Sequence, residues 1–421
     1  MQDIKVINPR DQDIRRFDIK YSIIWFMVSM YPLIVIPNNF YRFSPLGIIP
    51  PDYFYGPRYI VLTIISMISL FALRKQKILL NKVSISLTLF IVFGMFSTVL
   101  AIDPIVAWFG SSYRYTGAST YVFCIIIFII AAKTNKVNDI LQLMVYTASI
   151  VSILSVLQYF NINLVPHEPS RNRMISYGTL ANPNFLGTYT AFILPASMYF
   201  FIKTKKRFWL LSSSLIYAGL LVAHCRGAWL AFSLSLLIIG IYFWKTISYR
   251  RNLFTIFFIF IIITAFLIPA RDGFILKRII SVPGELGSGL MLNKEAGANR
   301  MFIWLETVKL LKDYWAFGIG PDNLFYAGIL TPSKNVVDKA HNIFLEIGVT
   351  MGVFSLASYL FFLSNFLRGW KNEIGFIYFV MILTYITQGL FNIDVVMNMP
   401  LFWIVLGLSL AESRNKSNVT N

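Results

Sequence analysis

Charged side chains are scarce in this sequence and acidic ones scarcer: 13% of its 421 residues are charged, with 19 Asp and Glu against 37 Lys and Arg. With 57% hydrophobic residues and a mean hydropathy of +0.66, so little charge excludes an ordinary water-soluble domain. Only two cysteines are present, Cys124 inside an apolar run and Cys225 at the end of another, which argues against a disulfide framework and makes both packing residues. The three histidines, His167, His224 and His341, stand far apart without ligand spacing, and no paired-carboxylate metal site is present, so neither metal nor other cofactor is expected. A Gly-rich phosphate loop is absent, as is any strand-then-helix setting for a dinucleotide fingerprint. No cleavable signal peptide is evident, because the first twenty residues are polar and the first apolar run is a full span.

What the sequence has instead is apolar runs. About twelve reach the roughly 17 to 25 residues that cross a bilayer as a helix. They lie near Ile19 to Ile36, Pro57 to Leu73, Val83 to Ala101, Gly117 to Ala132, Asn138 to Phe160 and Pro183 to Ile202. The others lie near Phe208 to Ala223, Gly227 to Trp244, Asn252 to Pro269, His341 to Phe366, Ile374 to Phe391 and Met399 to Ala411. The fold expected is a single all-α, polytopic membrane domain over 1–421, with a long segment, 270–340, between spans nine and ten.

The net charge of +18 is distributed in short basic clusters that follow alternate spans: Arg15, Arg16 and Lys20; Arg74, Lys75 and Lys77; Lys133 and Lys136; Lys203, Lys205, Lys206 and Arg207; Arg250 and Arg251; Arg368 and Lys371; Arg414 and Lys416. The positive-inside rule makes these cytoplasmic, so both termini face the cytoplasm, the span count is even, and the 270–340 segment is extracytoplasmic. Connections on the cytoplasmic side are short, which leaves no room there for a nucleotide-binding domain and makes nucleotide sugars poor donors.

Within the long segment, Arg271 to Arg278 is basic and Val282 to Gly289 is Gly-rich and expected to be irregular. Asn299 to Trp315 reads as an interfacial helix, with Trp304, Val308, Leu311 and Trp315 on an apolar face laid against the membrane. Gly318-Ile319-Gly320-Pro321 ends it. An Asn-Pro-Asn turn at Asn182 to Asn184 initiates the sixth span, since Pro is tolerated in a first helical turn.

The outer face is itself expected to be basic, carrying Arg58, Arg114, Arg171, Arg173, Arg226, Arg271, Arg278 and Arg300. Arginine on that side suits an anionic ligand, because its planar fork grips phosphate oxygens and stays charged at any working pH. Arg226 sits in a very short connection, where it either binds an anion or snorkels to the headgroups and holds a helix end. Arg300 opens the interfacial helix, where the helix dipole adds to its charge; the alternative is a solvated residue on a polar face. His341, at the start of the tenth span, is either a base for an attacking hydroxyl or a structural cap, and Glu346 beyond it is a partner in the bundle core or a functional acid.

Arg-Gly-Ala-Trp-Leu at Arg226 to Leu230, Asn-Arg-Met-Phe-Ile-Trp at Asn299 to Trp304, Gly318-Ile-Gly-Pro-Asp-Asn and His341-Asn-Ile-Phe-Leu-Glu-Ile-Gly, in that order, resemble the O-antigen ligase and polymerase superfamily. The resemblance runs from about Asn182 to Gly352 and is architectural elsewhere. It implies a metal-independent glycosyltransferase of the membrane-embedded C type in the cell membrane, acting at its outer face on a glycan carried by undecaprenyl diphosphate, with a glycan, lipid or protein as acceptor and no nucleic-acid partner. Arg226 and Arg300 would bind the donor diphosphate and His341 would be catalytic, with Arg171, Arg173, Asn182 and Asn184 as accessory candidates. Inversion at the anomeric carbon is expected, because neither a covalent nucleophile nor two flanking carboxylates are identifiable. The competing reading is a transporter or flippase of lipid-linked oligosaccharide, against which stand the charges gathered at the rim rather than the midplane and the absence of two similar halves.

Overall fold

The computed structural model describes residues 18–37, 42–44, 47–49, 52–74, 81–112, 114–167, 176–290, 299–368, 370 and 372–417. Helices dominate. In chain order they are α1 (Ile19–Ser29), α2 (Tyr55–Leu73), α3 (Lys82–Val99), α4 (Pro104–Phe109), α5 (Ala118–Ala131), α6 (Val137–Tyr159), α7 (Pro183–Thr204), α8 (Arg207–Val222) and α9 (Arg226–Trp244). They continue with α10 (Ile247–Leu267), α11 (Ala270–Leu290), α12 (Arg300–Lys309), α13 (Leu311–Tyr314), α14 (Ile343–Thr350), α15 (Gly352–Ser364), α16 (Glu373–Gly389) and α17 (Met399–Ser417). The strands among the described residues form one short hairpin, Arg42–Ser44 against Gly47–Ile49.

Six helices, α2, α3, α6, α7, α9 and α10, are long and apolar enough to cross a membrane, and α5, α8, α15 and α16 are shorter apolar helices. The outer surfaces of several carry apolar stripes at helical spacing: Ile60, Ile64, Met67 and Phe71 on α2, and Phe254, Phe258, Ile261 and Phe266 on α10, are all exposed. Water would penalise such stripes and lipid would not. Helix α7 is the opposite case, buried along its entire apolar span. Inside the bundle, many hydroxyls donate to carbonyls one turn back, as in Ser69 to Ile65 and Thr190 to Leu186, or pair with each other, as in Ser197 with Ser213.

Helix starts follow side-chain chemistry. Asp18 accepts from the first amides of α1, Asn81 and Ser84 form a reciprocal capping box on α3, and Asn342 and Asn372 cap α14 and α16. At the Asn-Pro-Asn turn Asn182 accepts from Asn184 N and Pro183 occupies the first position of α7, as expected from the sequence.

Several expectations are corrected. The first helix ends at Ser29, before a short 3₁₀ turn containing Pro32, and does not run to Ile36. The Gly-rich stretch from 282 to 289 is helical, as the end of α11; glycine in a helix costs about 1 kcal/mol, which is not enough to break it. The 299–315 segment is two helices meeting at Leu310 rather than one; Ile303 and Thr307 are buried, while Val308 and Trp315, expected on the membrane side, are exposed. The tenth span is divided at Met351 and Gly352 into α14 and α15. Arg58 is not a ligand group: it is fully buried and donates to the carbonyls of Tyr31, Pro32, Phe54 and Thr179, stapling the start of α2 to two other connections.

Connections of two or three residues join α7 to α8, α8 to α9 and α9 to α10, so these helices run antiparallel and the basic residues Lys203, Lys205, Lys206 and Lys245 lie at the end opposite Arg226. At the Arg226 end, the Gly318–Asn323 segment threads between α14 and the chain entering α4. Ile319 and Gly320 N donate to Val349 and Thr350 O, and Ile102 N donates to Ile319 O. Asn323 completes the tie by accepting from Asp103 N at 2.8 Å. Only glycine fits here, because Gly320 has φ +105° and a Cβ would lie 2.3 Å from that of Ala101. Gly320→Ala is therefore expected to destabilise the protein by about 2–4 kcal/mol, read as a lower thermal midpoint in detergent.

Candidate functional site

Arg226 is the first residue of α9, and its Nη1 donates to Ser281 Oγ of α11 at 3.0 Å. The preceding residue, Cys225, is buried; burial pushes its thiol up, and the positive charge of Arg300 opposes that shift. Arg300, first residue of α12, thus lies within electrostatic reach of the turn carrying Arg226. It also acts on His341. The imidazole is held down to about 4, first by burial and next by Arg300, with Asp338 opposing and Arg114 and Lys339 reinforcing. Arg300 thus lies within electrostatic reach of both His341 and the turn that carries Arg226.

His341 adopts a left-handed φ of 52°, uncommon for a non-glycine residue and a sign that its surroundings dictate its conformation. Among the described residues its Nδ1 is sealed from solvent with no hydrogen-bond partner. Its neighbours are all fixed. Asp338 pairs with Arg114 at 2.8 Å; burial pushes the Asp338 carboxyl up and Arg114 more than offsets this. Lys339, 3% exposed, bonds Asp322 at 2.6 Å, Glu346 at 3.0 Å and Thr116 Oγ1 at 2.7 Å. Burial pulls the Lys339 ammonium down, yet Asp322 and Glu346 hold it above its ordinary value. Ala340 N donates to Glu346 Oε2 at 2.7 Å, and Asn342 caps α14.

The connection between α16 and α17 forms another wall. Phe391 lies 6.4 Å, ring to ring, from Trp304 of α12 and would stand 3.0 Å from a Cβ at Gly227 of α9, while Gly389 packs against Ile343. A cavity of ≈ 680 Å³ opens beside Arg226 between α8, α9 and α10, lined largely by apolar and aromatic residues such as Tyr217, Trp229, Phe232, Phe257 and Phe260, with Ile279 of α11 near its head. Arg226 is the charged residue in its lining.

Of the accessory candidates, Arg171 and Arg173 lie outside the described residues. Asn182 caps α7, and Asn184 accepts through its carbonyl from Asn392 Nδ2 at 3.3 Å. The sequence reading missed Asp322, Asp338 and Lys339, as well as Phe391 and Ser281. One signal was available: in a chain so poor in acid, Asp322, Asp338 and Glu346 fall inside or beside two of the quoted motifs.

Residues 209–360, the stretch that contains Arg226, Arg300 and His341, match the family model described as O-antigen ligase. That stretch is thus similar to O-antigen ligases, in agreement with the superfamily the ordered motifs resemble, and with its apolar helices the chain is an integral membrane protein. No curated protein and no solved structure matches the chain.

A pH dependence follows from the histidines. His224, in the α8–α9 turn, is buried against Tyr159 and Phe274 and is lowered to about 4 by burial and then by Arg278 and Arg271. A histidine depressed from 6.5 to about 4 contributes stability that is present above the unfolded value and is lost as pH falls toward 4. The thermal midpoint in detergent is therefore expected to drop between pH 7 and pH 5, and to drop less in His224→Asn, which keeps a residue tolerant of the left-handed turn.

Proposed function

We propose that the protein transfers a glycan from an undecaprenyl-diphosphate-linked donor to an acceptor hydroxyl at the outer face of the cell membrane, as a surface-polysaccharide ligase or polymerase. The observation that carries this reading is that Arg226 lines an apolar cavity on the flank of the bundle, while Arg300 lies within electrostatic reach of both the Arg226 turn and His341. A lipid diphosphate has the same two-part character: the polyprenyl chain lies along the apolar cavity and the diphosphate meets the arginines above it. On this reading the bundle crosses the membrane about twelve times, and the basic clusters at the opposite end support an outer position for this rim.

In the reaction, the acceptor oxygen attacks the anomeric carbon, the bond from that carbon to the diphosphate oxygen breaks, and His341 takes the hydroxyl proton. Negative charge that builds on the leaving diphosphate is met by Arg226 and Arg300, already in place and without solvent reorganisation. The depressed imidazole is neutral at pH 7 and available as a base. Donor binding brings phosphate charge beside Arg300, offsets its effect on His341 and raises the imidazole toward the range where general-base catalysis is effective. Attack opposite the leaving group inverts the anomeric centre.

Arg226→Ala, Arg300→Ala and His341→Ala are each expected to yield folded protein whose turnover of lipid-linked glycan falls about 10²-fold or more, with donor accumulating in cells. Full turnover in the His341 variant would remove its role as base.

A further inference from the structure

Between Asp338 and Asn342 every residue except His341 is anchored by a side-chain interaction. Asp338 is paired with Arg114, Lys339 is held on three sides, Ala340 N is bound by Glu346, and Asn342 caps α14. The anchors come from separate parts of the chain: Arg114 and Thr116 precede α5, Asp322 belongs to the Gly318–Asn323 segment, and Glu346 lies in α14. Asp322 is itself fixed by Ser111 N at 2.6 Å and Thr116 N at 3.4 Å. Glu346 serves twice, one carboxylate oxygen on Lys339 and the other on the amide just before His341. A residue held at positive φ relaxes unless its flanks are fixed, and here both are.

We propose that Lys339, Asp322 and Glu346 are positioning residues for His341, a buried ion triad that fixes the backbone on either side of the imidazole so that the ring meets the acceptor hydroxyl. This rests on the proposed role of His341 as base. The triad touches no donor or acceptor group; it acts by holding geometry, and displacing a base by about 1 Å can cost on the order of a hundredfold in rate. A bare structural salt bridge would need neither the second Glu346 bond to Ala340 N nor the strained residue next to it.

The test is a double-mutant cycle between Glu346→Gln and His341→Ala, run on purified full-length protein in liposomes with a lipid-linked glycan donor. Glu346→Gln keeps the side-chain shape but removes the charge facing Lys339. Alone, it is expected to lower kcat at least tenfold while the donor KM stays within twofold. Combined with His341→Ala, it is expected to lower the residual rate no further, because residues acting as one unit are not additive. If the glutamine variant does not fold, Thr116→Val takes its place, removing one Lys339 anchor without leaving a charge unpaired, with the same expected pattern. An unchanged kcat, a change confined to KM, or an equal loss in the His341→Ala background would overturn the positioning role alone. Full turnover in His341→Ala itself would overturn the base assignment and, with it, this inference.

Discussion

The charged end of the bundle depends on one buried ammonium. Lys339 is 3% exposed, and an ion taken so far from water costs several kcal/mol to desolvate. That cost is offset only because Asp322, Glu346 and Thr116 surround it at 2.6 to 3.0 Å. Thr116 and Lys339 lie 223 residues apart, so satisfying one cation draws together the chain before α5, the Gly318–Asn323 segment and the first turn of α14. His341 sits at their junction. Losing one partner would strand a buried charge, which is why the three segments behave as a unit.

On this frame two environments meet. Below is the apolar cavity between α8, α9 and α10, to which α10 contributes Phe257 and Phe260. Above are Arg226, Arg300 and His341, with the Trp304–Phe391 contact bridging α12 and the α16–α17 connection. Helix α11 links the two environments, because Ile279 helps line the cavity while Ser281 holds Arg226. The proposed donor, half lipid and half polyanion, would use both environments, whereas a wholly soluble sugar would leave the apolar half unused.

How far this was legible in the sequence varies with the kind of interaction. The all-helical class followed from apolar runs and their basic punctuation, and the start of α7 from Asn-Pro-Asn, because those signals are local. The bends within α14–α15 and at the end of α1 were not legible as bends, since hydropathy registers a span without registering its breaks. Periodicity in 299–315 picked out Val308 and Trp315, which are exposed, but it did not reveal that Ile303 and Thr307 form the buried side of α12. The same limit applies to Arg58, where a charge near a membrane boundary looks like a ligand group until four carbonyls are found around it. Arg226, Arg300 and His341 could be nominated from the motifs and the family they resemble, but the reach of Arg300 to both Cys225 and His341 is tertiary and has no local signal. Lys339 shows the point most clearly, for it reads as one more basic residue until its partners are known.

The central claim is that this end of the bundle makes a glycosidic bond at the expense of a lipid diphosphate. The most direct measurement reconstitutes the purified protein in liposomes with a labelled polyprenyl-diphosphate-linked glycan and an acceptor glycan, and follows bond formation and release of polyprenyl diphosphate together. One polyprenyl diphosphate is expected to be released for each new glycosidic bond. Movement of intact lipid-linked glycan across the bilayer with no diphosphate released would contradict it.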